Sequence, residues 1–340
     1  MSSSTVTAAP SDRVAKGGLW ARLFDSDRTD RLLEFDDALK TKVGPRQLLW
    51  IDIAGELGPE QRDALADRFE LDADTEGALG APRRGPSLEL HGRHFHLRVA
   101  AEPDPKRPED ATWLDLIAGP NLVVSRHPVE LRFLDALNER IKADATIGEL
   151  DSAEFIASVL DAVVTTYHRA VDGIEDELDA YDTRALADSR SNGDVIAQLM
   201  DIRRRVGRLR RLLAAHREVF ATLGRPDFAR GIESDDPEVF LPVSARFAAA
   251  LAAAEASREL VVSSFGVLMT RTAQRTNEVM RALTLITVLG LPATVTAGLL
   301  GMNVVVPVSK DDPMAFWLVV GVVVLLEVAL VVAARMKHWI

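Results

Sequence analysis

The sequence predicts an α+β membrane protein with three parts: an N-terminal α/β domain, a helical region with an antiparallel pair and a long stalk helix, and two C-terminal transmembrane helices. Three observations carry this. The chain is 47% hydrophobic and 27% charged, an ordinary soluble balance, yet little charge follows Arg281 except a short loop, Glu327 and the last few residues. Short apolar runs alternate with helical patterns across residues 23–150. From Ser152 to Leu223 the hydrophobic period is helical, and after a linker residues 243–282 read as one further helix.

Taken in order, residues 1–22 are expected as a disordered leader. MSSSTVTAAPSDRVAKGG is small and polar and lacks the apolar stretch of a secretory signal. In the α/β domain, residues 23–150, the runs LLWIDI (48–53), LELHGRHFHLRV (88–99) and WLDLIAGPNLVVS (113–125) read as strands. His91-Gly92 and Gly119-Pro120-Asn121 mark hairpin turns, and helical patterns cover 59–70 and 128–142. His91, His94 and His96 invite a zinc reading; on one strand His94 and His96 share a face with His91 opposite, which favours exposed hairpin residues.

Residues 151–282 are expected as the helical pair and stalk. The pair breaks at DSRSNGD; its first helix is acidic (Asp172, Glu175, Asp176, Glu177, Asp179) and its second basic (Arg203, Arg204, Arg205, Arg208, Arg210, Arg211). Opposite charges on antiparallel neighbours would pair, a simpler use of the arginines than nucleic acid or lipid. After a GRPDF to FLP linker, an alanine-rich helix over 243–282 should run into the first span without a break.

Residues 283–340 form the membrane hairpin. Leu283 to Leu300 contains no charge and, at a rise of about 1.5 Å per residue, runs about 27 Å, close to a hydrocarbon core. Ala315 to Ala334 is of similar length and starts with the interfacial pair Phe316 and Trp317. Arg271, Arg275, Arg281, Arg335 and Lys337 flank the cytosolic ends against Lys310 alone in the loop, so both termini are expected in the cytosol and the chain in the cytoplasmic membrane.

On the first span, Met280, Thr284, Thr287, Leu291, Thr294 and Gly298 share a helical face, with Thr296 opposite. Small hydroxyls and glycine suit a water-lined path and equally suit close helix packing. Pro292 should kink or locally unwind the span. Gly301 permits the helix to end so that Asn303 can face the same path, and a neutral amide can bind hydrated Mg²⁺ without trapping it. Glu327, near the middle of the second span, is a carboxylate in a costly place, read either as a proton site or as a protonated group bonded to a neighbouring helix.

Net charge is −11 with a pI near 5.2, which argues against a nucleic-acid partner and suits a protein that gathers cations. Cysteine is absent, which excludes disulfides, Cys-ligated zinc and thiol catalysis and fits a reducing compartment. No phosphate-cradling glycine loop, nucleophile elbow or metal-ligand cluster stands out, so no enzyme activity and no cofactor are expected.

Gly301-Met302-Asn303, at the mouth of a two-span hairpin after a long cytosolic region, resembles the signature of the CorA family of magnesium and cobalt channels, which includes the ZntB zinc transporters. LLWIDI, LELHGRHFHLRV, LDLIAGPNLVVSRHP and SVLDAVVTTYHRAVDGIEDELDAYD follow in that family's order, so the resemblance covers roughly residues 45–340. It implies a funnel-shaped homopentamer in the bilayer that transports Mg²⁺, Co²⁺ or Zn²⁺ through a central pore. Gly301, Met302 and Asn303 would form the selectivity filter, with Asn303 touching the hydrated cation; Met280, Thr284, Thr287, Leu291, Thr294 and Gly298 would line the pore. Asp311 and Asp312 would be an acidic mouth or simple turn residues, and Arg335 with Lys337 a basic collar or positive-inside anchors. The chain departs from the family at Leu300, where a Tyr is usual, and in the loop VVVPVSKDDP, which lacks a Pro-Glu-Leu element. The stalk offers only Glu255, Glu259 and Glu278, so closure by cytosolic Mg²⁺ is expected to be weak or absent. A ZntB-like proton-coupled zinc transporter and a membrane scaffold or sensor that moves no ion are the competing readings.

Overall fold

The computed structural model describes residues 18–25, 30–80, 85–92, 94–143, 151–187, 192–301 and 313–336. The chain divides into two compact units, Met1–Val262 and Ser263–Ile340. The first is built on a sheet of seven strands: β1 (Leu19–Asp25), β2 (Arg31–Leu33), β3 (Gln47–Ala54), β4 (Ser87–His91), β5 (His94–Ala101), β6 (Thr112–Gly119) and β7 (Leu122–His127). Their order is β2-β1-β3-β7-β6-β5-β4, with β3 and β7 parallel and the other neighbours antiparallel.

The two expected hairpin turns are present, closed by Gly92 (φ 60°) and Asn121 (φ 57°) in the left-handed region. Asn121 also fixes the parallel pairing. Its Nδ2 donates to the Gln47 carbonyl at 2.7 Å and its carbonyl accepts from the Leu49 N–H at 2.9 Å, so the β6–β7 turn is tied to the start of β3.

Strand β3 is buried along both faces. On one face Leu49, Ile51 and Ile53 join Ala21, Leu23, Val124 and Ile117 in a core covered by the helices α1 (Phe35–Lys40), α2 (Pro59–Phe69) and α3 (Ala73–Gly80). On the other, fully buried Trp50 meets Trp20 edge-on at 4.7 Å and Phe155 at 5.2 Å. Phe155 belongs to α5 (Ser152–Ala187), which follows α4 (Arg132–Ala143) and packs on β5, β6 and β7.

Strand β1 corrects the expected leader, because residues 19–22 are strand. It was hidden by Arg22, a charged residue in an otherwise apolar run; here Arg22 is buried, with its guanidinium over the Phe24 ring at 5.8 Å.

Beyond α6 (Asn192–Leu223) come α7 (Pro226–Gly231) and α8 (Leu241–Leu300). The α5–α6 pair is joined by apolar residues, among them Ile174, Leu178, Leu199, Ile202 and Leu209, and by a bidentate ion pair of Arg205 with Glu177 at 2.7 Å. That is narrower than the expected charge zipper. Arg208 turns to Glu109 in the β5–β6 connection, and Arg203, Arg204, Arg210 and Arg211 form no ion pair among the described residues.

The same two helices seal the sheet edge. Strand β4 reaches only as far as Arg98, leaving the backbone of Ala100, paired with Trp113 of β6 on its other side, without a strand neighbour on this edge. Tyr167 of α5 donates its hydroxyl to the Ala100 carbonyl at 2.5 Å, and Nε2 of His216 in α6 accepts the Ala100 N–H at 2.9 Å. His216 donates its other nitrogen to Leu212 O at 2.8 Å and stacks on Trp113, which fixes the neutral tautomer.

In the second unit, the part of α8 from Ser263 onward is followed by α9 (Pro313–Met336). Helix α8 is unbroken across 60 residues with Pro292 inside it, so of the two expected effects, a kink or local unwinding, the unwinding does not occur. One missing backbone bond is tolerated inside a membrane helix.

Burial pushes the His216 pKa down to about 4, the bond to Leu212 opposing it only weakly. Unfolded, the ring titrates near 6.5. Between these values only the unfolded chain takes up the proton. The stabilisation is therefore complete above about pH 6.5 and falls by about 3 kcal/mol as the pH drops to 4. Chemical unfolding across that range should show the slope in the native protein and a flatter one in His216→Gln.

Candidate functional site

Among the described residues, two helices are long and apolar enough to cross a membrane, one inside α8 and the other Phe316–Met336. Within α8 all six expected pathway residues are exposed: Met280, Thr284, Thr287, Leu291, Thr294 and Gly298. Leu291 is 60% exposed. The partly shielded residues of the span are Leu285, Leu289, Pro292 and Thr296, which form a stripe about 150° away at 100° per residue. In α9 the partly shielded residues are Val319, Val323, Glu327, Leu330 and Ala334, also a single stripe. The two spans thus have one shielded side each, and the expected pathway is on the bare side of α8.

The stripe is uncharged, and its chemistry is set by the backbone. Thr284, Thr287 and Thr294 each donate the hydroxyl hydrogen to the carbonyl four residues back: Met280, Leu283 and Gly290, at 2.8, 2.9 and 2.7 Å. A hydroxyl has one hydrogen, so what remains on each threonine is acceptor oxygen. Water bound to a cation turns its hydrogens outward, and acceptor oxygens suit that shell. A Cβ at Gly298 would meet nothing within 4 Å, so the glycine keeps this face open rather than filling a contact within the chain.

The helix ends at Leu300, and the Gly301 N–H closes the last turn on the Ala297 carbonyl at 2.9 Å. A Cβ at Gly301 would press that carbonyl at 3.1 Å. Met302, Asn303, Asp311, Asp312 and Lys337 lie outside the described residues. Arg335 is exposed in the last turn of α9, where a cation favours the helix dipole. Of the stalk carboxylates, Glu255 is engaged by Arg217 at 3.3 Å.

The first unit holds polar networks that sequence reasoning missed. In one, Asp52 of β3 accepts from Ser125 and His127 of β7, and Trp50 Nε1 donates to Ser125 Oγ at 2.8 Å. Burial opposes a charge on His127, but the hydrogen bond and charge of Asp52 outweigh it and raise the pKa. A cavity of about 50 Å³ beside this pair, lined also by Glu130, Leu134 and Asp135, has room for water only. In the other, Asp115 of β6 meets His96 and Arg98 of β5, with Arg126 of β7 at 4.0 Å. Burial works against the Asp115 charge, yet His96 and Arg98 hold it below the usual carboxylate range. An aspartate inside each apolar strand run was the visible signal.

The histidines also correct the single-strand reading. A turn separates His91 from His94 and makes them cross-strand partners, so all three share a face. His96 is buried on Asp115 rather than exposed, and His91 binds Glu89. No group of three or more histidine or acidic residues placed to hold a metal occurs among the described residues.

A family model described as CorA-like Mg²⁺ transporter protein matches residues 45–336. The divalent cation transporter CmaX of Pseudomonas aeruginosa is 31% identical over 233 residues, covering 68% of this chain and 67% of that protein. The structure of the full-length CmaX protein aligns with a TM-score of 0.69 and 25% identity over 94% of this chain and 98% of that one. The complete structure of the CorA magnesium transporter from Methanocaldococcus jannaschii shares the fold, with a TM-score of 0.70 and 20% identity over 95% and 98% of the two chains.

Asp52→Asn should lower unfolding stability by about 1–3 kcal/mol through the lost charged hydrogen bonds. A group with a raised folded pKa stabilises most below its unfolded value and loses this as the pH rises through the folded one. The deficit, measured by denaturant titration, should therefore be largest below about pH 6.5 and shrink in alkaline buffer.

Proposed function

The chain belongs to the CorA family, and on that premise we propose that it conducts divalent metal cations, Mg²⁺ or Co²⁺, passively across the cytoplasmic membrane through a central pore of a homopentamer. The observation that carries the reading is the exposed, charge-free stripe of α8, whose threonines keep only acceptor oxygens for a passing ion. Five such stripes facing an axis would coordinate the hydration shell without stripping it. The shielded stripe of each α8 would then face outward to α9.

In this reading Asn303 and its neighbours Gly301 and Met302 form the outer filter, Asp311 and Asp312 draw cations to the mouth, and Arg335 and Lys337 surround the cytosolic exit. The lysine and arginine bias keeps both termini in the cytosol. Glu327 lies on the shielded stripe of α9, which fits a neutral carboxyl hydrogen-bonded between helices rather than a proton carrier on the ion path.

Ion entry into liposomes containing the purified protein tests this, with Mg²⁺, Co²⁺ and Zn²⁺ compared with and without a pH gradient. Mg²⁺ or Co²⁺ entry should ignore the gradient and change on Asn303→Ala. Zn²⁺ entry that grows with the gradient would select a ZntB-like mechanism, and no flux of any ion would leave a scaffold or sensor. Thr287→Val with Thr294→Val should fold normally and reduce Mg²⁺ flux about tenfold, equivalent to about 1.4 kcal/mol on the barrier. Glu327→Gln should leave the pH dependence of flux unchanged.

A further inference from the structure

Helices α5 and α6 leave two opposite charge patterns unused. On α5, Asp172, Asp176 and Asp179 recur at four and three residues, one helical face, and all three are exposed. On α6, Arg203, Arg204 and Arg211 are exposed and Arg210 is half-buried. None of these seven side chains has an ion-pair partner among the described residues. The pairing that joins the helices runs instead through Arg205 and Glu177, which draw on neither pattern.

The two patterns also match in length. Asp172 to Asp179, Arg203 to Arg210 and Arg204 to Arg211 each span seven residues, about 10 Å along a helix axis. A second copy of this chain carries the complement of each surface in the same register. We propose that the arginine face of α6 docks the Asp172–Asp176–Asp179 face of α5 from a neighbouring copy. Such a contact is heterologous, using different surfaces on the two partners, and this is the kind of contact that closes into a ring.

Exposed ion pairs add little affinity each. Their role here is to select the partner surface and register, with an effect that fades in salt. The contact does not depend on which ion the protein moves, so it stands or falls apart from the transport reading.

The absence of cysteine makes a direct test possible in the full-length protein. Asp176→Cys and Gly207→Cys mark the centres of the two faces, so they lie opposite each other whichever way the helices run. A Cβ at Gly207 meets only the end of the Arg211 side chain, at 3.6 Å, so it is accommodated. The two variants, carrying tags of different mass, are co-purified in detergent and treated with a short bis-maleimide. Cross-linked dimers should form in the mixture and not with either variant alone. The yield should fall several-fold in high salt and be lost when Arg203→Glu and Arg204→Glu are added to the Gly207→Cys chain. It should return when the Asp176→Cys chain also carries Asp172→Lys and Asp179→Lys. No dimer in the mixture, dimers from either variant alone, or a yield that ignores both salt and charge reversal would overturn the proposal.

Discussion

A helix in a hydrocarbon layer must satisfy its own backbone, and in α8 that backbone also satisfies the threonine side chains. Their hydroxyl hydrogens return to carbonyls one turn earlier, so polar side chains on a bare face remain compatible with the membrane. The acceptor character of the stripe and its freedom from charge follow from that constraint. Below the apolar span, Thr272 and Thr276 repeat the bond on carbonyls of Leu268 and Thr272. The habit thus belongs to the whole helix, while the spacing of Met280, Thr284, Thr287, Leu291, Thr294 and Gly298 on one face marks the stripe.

In the first unit the constraint is met differently, because strands cannot satisfy their edges alone. Beyond the end of β4 the sheet would leave Ala100 open, and α5 and α6 each supply one side chain to close it. Both side chains are buried in their uncharged forms; burial raises the Tyr167 pKa as it lowers that of His216. The helical pair is therefore bonded to the sheet as well as packed on it. The carboxylates of Asp52 and Asp115, buried within β3 and β6, are tolerated for the same reason, since each is met by donors from adjacent strands.

Much of this fold is legible in the sequence because it is periodic. The helical face from Met280 to Gly298 needs only a period of 3.6, and the hairpins need only Gly92 and Asn121 at their turns. What escaped was non-local. Strand β1 was obscured by Arg22, which is hidden over an aromatic ring that composition does not reveal. The relation of His91 to His94 was reversed because a turn turns sequence neighbours into cross-strand partners. The buried partners of Asp52 and Asp115 lie 73 to 75 and 17 to 19 residues away, beyond any local pattern.

The candidate pathway shows the same division. Pattern alone left the threonine face balanced between lining a path and packing a neighbour. Leu285, Leu289, Pro292 and Thr296 are the partly shielded residues of the span, so the threonine face is not the side of α8 that is covered within the chain. A bare face carrying large apolar residues such as Met280 and Leu291 is costly if water alone covers it, so it calls for lipid, further copies, or both. Lipid makes no use of three acceptor oxygens and a glycine that contacts nothing. Copies arranged around an axis use both features, the glycine allowing close approach and the oxygens facing whatever occupies the centre. Glu327, by contrast, lies on the partly shielded stripe of α9, away from the exposed side of that helix.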